Sequence, residues 1–352
     1  MPSFVQAEMD QLYQSLFSSL IQFAVYGAID NANTYVVREN GRIVSLLLFR
    51  IENGKAHVIN EVMRIDEAEI ARFANFVFAR FALVGVILFK AIDTNARRLL
   101  FPFQRVNHLE DIVLTLPRTV EEYMTSLGKA TRKTIKGYMN KLRRDYPSFT
   151  YRIYRHDELD EYQIREIIRF NWARMAEKHK VSAYDEKETQ RIIALAKACG
   201  LVGVATIDGH ICGGAVSYRI GDNFFMSINA HDPLYDNYRL GTLCSFLIIS
   251  ECITQGGREC HLLWGRHEYK YRFLGVQRDL DNLAVYRSRM ELLRHADTAI
   301  GLAHAGLIRQ LRLLAHQFKP LRHGFFSYAA NGWHGFLRKV KRFGGFLSTS
   351  WK

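Results

Sequence analysis

Two stretches of the chain share one pattern of apolar and polar positions. Val36 to Asn60 reads VVRENGRIVSLLLFRIENGKAHVIN, and Val204 to Asn229 reads VATIDGHICGGAVSYRIGDNFFMSIN. Each sets an Asx-Gly pair between apolar runs, Asn40-Gly41 in the first and Asp208-Gly209 in the second. Such pairs predict two-residue hairpins, because both turn positions need positive φ. Each stretch then has an Arg-Ile pair (Arg50-Ile51, Arg219-Ile220), a second turn, and an Ile-Asn end (Ile59-Asn60, Ile228-Asn229). A helical period follows in both, over Glu67 to Phe81 and Leu240 to Gln255. A further strand comes next, Val84 to Ile92 and Cys260 to Trp264. The order strand, strand, strand, helix, strand thus occurs twice, which predicts a duplication. Each strand–helix–strand passage predicts one parallel crossover.

Between the repeats, Glu110 to Leu116 reads as a strand ended by Pro117. Thr119 opens a helix with Glu121 and Glu122 near its positive end. A basic helix runs from about Ala130 to Arg144, and amphipathic helices are predicted over Glu158 to His179 and Asp185 to Ala198. Gly200 is the expected stop of the latter. Leu283 to Arg289 reads as a last strand, and Met290 to His316 as helical. From Lys319 the chain is basic and aromatic without a clear period.

These elements predict an α/β (α+β) chain of two tandem, related halves. Mixed, mostly antiparallel central sheets would be flanked by helices, with a basic helical C-terminal extension. The expected divisions are residues 1–118, 119–290 and 291–352. A length of 352 residues suits more than one core.

Composition changes this picture little. The chain is 48% hydrophobic and 24% charged, with six prolines, which argues against pervasive disorder. The five cysteines, Cys199, Cys212, Cys244, Cys252 and Cys260, form no CxxC pair. Neither a zinc site nor a disulfide framework is predicted, and reduced thiols in a cytoplasmic protein are expected. Met1 to Asp10 lacks the basic start of a signal peptide. The apolar run Leu16 to Ile29 is broken by Ser18, Ser19 and Gln22, too short and too polar to span a bilayer.

Charge changes it more. The net charge is +13, which favours polyanionic partners. One cluster is Lys129, Arg132, Lys133, Lys136, Lys141, Arg143 and Arg144. Arg132, Lys133 and Lys136 share a helix face that would either hold phosphates or be merely solvated. Beyond Asp297 there is no acid, and nine Lys and Arg follow. The tail interleaves them with Phe325, Phe326, Tyr328, Trp333, Phe336, Phe343, Phe346 and Trp351. This suits packing on the domain, contact with an anionic membrane, or nucleic-acid stacking, in that order.

The segment richest in chemistry is Tyr238 to Gly275. Arg239, Leu240, Gly241 and Thr242 lie where a strand gives way to a helix. The first N–H groups of that helix lack intrahelical partners and form a ready anion site. A cofactor pyrophosphate would fit there; a plain strand–helix connection is the alternative.

This segment resembles the acetyltransferase domain of GNAT-superfamily proteins found with polysaccharide and cellulose biosynthesis, which is related to Fem-type aminoacyl transferases. The residues carrying the resemblance are Arg239-Leu240-Gly241, Gly256-Gly257, His261-Leu262-Leu263-Trp264, and Gly265 to Lys270 ending in Tyr269-Lys270. Tyr123 to Leu142 resembles the helix that precedes the domain in that group. The likeness spans roughly Glu110 to Arg289. His261 and Arg266 stand where that pattern is commonly acidic.

The resemblance implies an acyltransferase with acetyl-CoA or another acyl-CoA as donor and no metal. It points to Tyr269 and Lys270 as catalytic, with His267 or His231 as candidate base and Asn229 beside the acyl thioester. The implied acceptor is a small molecule or the amino group of a cell-surface glycan precursor. The second half would hold the cofactor, since Met63-Arg64-Ile65-Asp66 gives the first half no glycine turn. The expected location is cytoplasmic, with peripheral contact to the membrane's inner face through the extension. Nucleic acid is not expected, except tRNA in the alternative of a Fem-type aminoacyl transferase. A third reading is a non-catalytic binding protein of the same fold.

Overall fold

Both predicted hairpin turns form with the required geometry. Asn40 and Gly41 have φ of 51° and 78°, and Asp208 and Gly209 have 50° and 79°. A computed structural model describes residues 4–27 and 29–317. The elements are α1 (Val5–Tyr13), α2 (Leu20–Tyr26), β1 (Asn33–Glu39), β2 (Arg42–Glu52), β3 (Lys55–Val58), α3 (Glu67–Arg80), β4 (Val86–Ile92) and β5 (Phe103–Thr115). They continue with α4 (Val120–Ser126), α5 (Lys129–Asp145), β6 (Thr150–Tyr154), α6 (Glu161–Glu177), α7 (Glu186–Cys199), β7 (Gly200–Ile207), β8 (His210–Ile220) and β9 (Asn223–His231). The last are α8 (Leu240–Thr254), β10 (Glu259–His261), α9 (Glu268–Arg272), β11 (Val276–Tyr286), α10 (Arg289–Arg294) and α11 (Ala296–Gln317).

Helix starts follow side-chain capping. Asp66, Thr119 and Asp185 accept from the third residue of α3, α4 and α7 respectively. Asp160 and Gln163 form a reciprocal capping box on α6. Gly200 does end α7, but with an extended φ of −82°. Its need is closeness: a Cβ there would lie 2.3 Å from the Ala196 carbonyl oxygen.

The strands form one sheet in the order β1-β2-β3-β4-β11-β5-β10-β9-β8-β7-β6. The two expected central sheets are therefore continuous. Among the described strands only β3–β4 and β9–β10 pair in parallel, which are the two predicted crossovers. The halves exchange the strand that follows each crossover. β5, after β4, pairs with β10, while β11, after β10, pairs with β4. β11 and β5 then form the antiparallel seam, from Val276↔Val113 to Val285↔Phe103. Both seam strands are longer than their apolar cores suggested. Their polar residues satisfy one another: Arg105 lies 3.5 Å from Asp281, and Asn107 Nδ2 donates to Asp281 Oδ1 at 3.4 Å.

Helices cover both faces of the second half. α5 and α8 pack on one face through Ile135, Leu142, Leu243, Ile249 and Cys252. α6 and α7 cover the other through Ile164, Ile167, Ile192 and Ala196. In the first half α3 packs its Ile70, Phe73 and Val77 against β2, β4 and β11. All five cysteines are buried and form no disulfide. No helix among the described residues is long and apolar enough to cross a membrane.

The chain forms two compact units, residues 1–302 and 303–352. The described part of the second unit is the remainder of α11. The tail aromatics from Phe325 to Trp351 lie outside the described residues.

Candidate functional site

A bulge opens the sheet in the second half. Val216 pairs with Ile228 and Ser217 with Met226, so Ser227 is an extra residue on β9. Bulges bend the strand that carries them. β9 accordingly pairs with β10 over three residues only, ending at His261↔Phe225. Beyond that point β9 stays with β8 as far as His231↔Gly213. The chain after β10 turns to β5 instead: Leu262 N–H donates to the Ile112 carbonyl at 2.7 Å, and Ile112 N–H to the Leu263 carbonyl at 3.3 Å. A wedge is left between β9 and the residues after β10.

The first half has no such wedge. β2 and β3 pair without a bulge. Past the parallel pairs of β3 and β4, Val62 N–H donates to the Ala91 carbonyl at 2.8 Å. Asp93 N–H reaches the Met63 carbonyl at 2.9 Å, and Ile65 N–H the Asp93 carbonyl at 3.0 Å. The equivalent strands stay zipped.

The open edge of β9 meets the start of α8. Arg239 takes a left-handed φ of 53°, and no side chain caps the helix. Thr242 and Leu243 N–H groups turn back to the Arg239 carbonyl at 2.8 and 3.1 Å. Leu240 is fully buried and anchors the first turn. The Asn229 amide donates to the Gly241 carbonyl at 2.9 Å and to the Ser245 hydroxyl. The His231 ring lies against Gly241, where a Cβ would come within 2.8 Å of Nδ1. Its Nε2 is 2.7 Å from Asp236 Oδ1. The structure thus brings Asn229, His231, Arg239, Leu240, Gly241 and Thr242 to one place. The basic helix α5 packs on the same face as α8, and Lys133 and Lys136 on it are exposed.

The remaining sequence candidates lie on the far side of the wedge. His267 and Tyr269 stack at 6.1 Å, with His267 exposed and Tyr269 half-buried. Burial raises the Tyr269 phenol, while the nearby Arg174 guanidinium lowers it. Arg174 Nε is itself buried without a hydrogen-bond partner. Sequence reading missed Arg174, because it sits among the ordinary surface charges of an amphipathic helix.

Lys270 is placed differently from a solvent-facing catalytic amine. It is 3% exposed, and its ammonium donates to the carbonyls of Leu263, at 3.0 Å, and Trp264. Those carbonyls belong to a loop bent by left-handed residues, Leu263 at φ 56° and Gly265 at 90°. Lys270 therefore fastens the loop that follows β10. Burial lowers its pKa from the ordinary 10.5 to about 8, against the pull of Asp111 and Glu110. The unfolded chain then holds the proton more tightly than the folded one. Stability should rise as pH goes from about 8 towards 10.5, by up to about 3 kcal/mol. Chemical denaturation of wild type and Lys270→Met across that range should show this rise in the wild type only. Parallel curves would mean that the ammonium is solvated.

The departures at His261 and Arg266 from the resembled pattern are compensated. His261 Nδ1 lies 2.6 Å from Asp111 Oδ2, and Arg266 Nε lies 3.7 Å from Glu110 Oε2. Two consecutive acids on β5 thus meet the two residues that stand where acids were expected. His261 also stacks on Phe225 at 4.4 Å, at the apex of the wedge. No local spacing could have joined groups 150 residues apart.

Comparison with known proteins bears on part of the sequence and on the fold. Residues 129–271 match the acetyltransferase (GNAT) domain family. No curated protein matches the chain. Among solved structures, FemX is similar with a TM-score of 0.58 at 8% identity, over 82% of this chain and 97% of that one. A conserved protein of unknown function from Bacteroides thetaiotaomicron VPI-5482 is similar with a TM-score of 0.54 at 12% identity, over 80% of this chain and 95% of that one. At these identities the two likenesses show the fold alone. Residues 129–271 are thus the part of the chain that matches the acetyltransferase (GNAT) domain, and that match supports an acyltransferase.

Proposed function

We propose that the chain transfers an acyl group from an acyl-CoA, acetyl-CoA in the simplest case, to an amino group of a small molecule or cell-surface glycan precursor. The observation that carries the donor is the wedge beside the Ser227 bulge. It leaves a β9 edge that can offer backbone N–H groups to a thioester carbonyl and to the oxyanion that develops from it. The uncapped start of α8 supplies N–H groups for the pyrophosphate. Arg132, Lys133 and Lys136 of α5 add cations for its phosphates. The fit is supported by Gly241, whose missing side chain lets His231 and β9 close on the helix start.

Transfer needs few groups. The amine nitrogen bonds to the acyl carbon, the carbon–sulfur bond breaks, and the amine proton ends on the thiolate. His231, held by Asp236, is the better placed of the two candidate bases because it lines the wedge. Tyr269 is the candidate donor to sulfur. Lys270 acts by holding the loop that positions Tyr269. The glycan acceptor is supported only by the setting of the family that the sequence resembles.

Thermal unfolding with acetyl-CoA, longer acyl-CoAs and free CoA tests the donor. Saturable stabilisation approaching ~2.7 kcal/mol at a hundred times the Kd is expected. Hydrogen exchange should show protection over residues 226–243 and none over 55–66. No shift with any CoA species would sink the reading and bring the aminoacyl-tRNA alternative forward. Protection confined to residues before Leu116 would move the site to the first half.

A further inference from the structure

The described part of the second unit carries a bare apolar stripe. Leu307, Leu311 and Leu314 are 55%, 51% and 48% exposed. Their spacings of four and three put them on one face of α11. A run of exposed leucines over two turns marks a contact surface rather than the scatter found on any protein.

The charge around the stripe selects its partner. Residues 298–352 contain nine Lys and Arg and no acid. Arg309 and Arg312 lie on the helix itself, and Lys319, Arg322, Arg338, Lys339, Lys341, Arg342 and Lys352 follow in sequence. A second copy of this segment would bring cations against cations, with no acids to set across from them. A nucleic acid would meet the cations but leave the leucines in water. An anionic lipid surface satisfies both: the apolar face enters the boundary of the acyl chains, and the cations lie at the phosphates. The tail's aromatic residues, among them Tyr328, Trp333 and Trp351, suit the same interface.

We propose that α11 docks the protein peripherally on an anionic membrane surface, with Leu307, Leu311 and Leu314 as the inserted face. The helix lies on the membrane and does not cross it. This places the acyltransferase beside lipid-held or membrane-proximal acceptors, and it stands or falls independently of the acyl donor.

Co-sedimentation of the full chain with vesicles provides the test. Vesicles of equal parts phosphatidylcholine and phosphatidylglycerol should carry the protein down, and phosphatidylcholine alone should not. The triple variant Leu307→Ser, Leu311→Ser, Leu314→Ser should partition at least about ten-fold more weakly, since each leucine loses its apolar transfer. Reversing Arg338, Lys339, Lys341 and Arg342 to Glu should abolish the preference for phosphatidylglycerol even if the leucine variant fails to fold. Light scattering on the wild type and the leucine variant should give the same mass. Equal sedimentation with both vesicle types, undiminished binding of the variants, or a wild-type dimer that the leucine variant converts to monomer would each overturn the proposal. The last outcome would make a second copy the occupant.

Discussion

Gly241→Val abolishes measurable acyl-CoA binding while the chain stays folded. A Cβ at this position would lie 2.8 Å from His231 Nδ1 and 2.9 Å from its Cε1. Valine adds two further methyl groups to that contact. Either the first turn of α8 must lift from β9, or the imidazole must swing out. Lifting the turn displaces the N–H groups proposed to hold the pyrophosphate and strains the Asn229 contact with the Gly241 carbonyl. Swinging the ring out breaks its 2.7 Å approach to Asp236. Both routes spoil the wedge where donor and base would meet. The overpacking should cost about 1–3 kcal/mol of stability, while affinity should fall at least a hundred-fold, about 2.8 kcal/mol. Gly137→Ala on α5 is the control, because an added Cβ there meets nothing within 4 Å. Calorimetric titration with acetyl-CoA on both variants reads the difference. Unchanged affinity in Gly241→Val would show that the anion site does not lie at the start of α8.

The sequence disclosed the parts of this site better than their assembly. Asx-Gly turns and capping residues act over a few positions, so both hairpins and most helix starts could be read directly. The two parallel crossovers followed from the repeated order of elements. The exchange of β5 and β11 could not be read, because the choice between two apolar neighbours is settled by contacts across the whole domain. The polar stretches of those strands, Gln104 to His108 and Gln277 to Asp281, also hid their length. The bulge at Ser227 left no mark, since serine is an ordinary strand residue. Yet that one extra residue separates an open half from a zipped one. Lys270 shows the opposite failure: the motif was visible, but the direction of its ammonium was not. Only the fold reveals that it holds the Leu263 and Trp264 carbonyls.

The paired departures at His261 and Arg266 give the sharpest energetic test of how the second half is stabilised. Asp111 and His261 are 2% and 7% exposed, and they sit where the two halves' strands meet. Arg278 makes a two-pronged contact with Glu259, at 2.9 and 2.6 Å. Glu259 Oε2 in turn lies 3.6 Å from His261 Nε2. Removing one member of such a buried cluster leaves a desolvated group without a partner. Asp111→Ala should therefore cost about 3–5 kcal/mol, read from urea unfolding. Replacing the whole pair with apolar groups removes the orphan as well as the bond. Asp111→Ala combined with His261→Leu should then cost clearly less than the sum of the two single variants, with a coupling of about 1–3 kcal/mol. Additive losses would mean that the pair is close in space but not coupled in energy. The same set of variants separates support from chemistry. If His261 only braces the apex of the wedge, the double variant keeps its acyl-CoA affinity wherever it remains folded. A double variant that is stable but no longer binds acyl-CoA would place the imidazole among the groups that line the donor site.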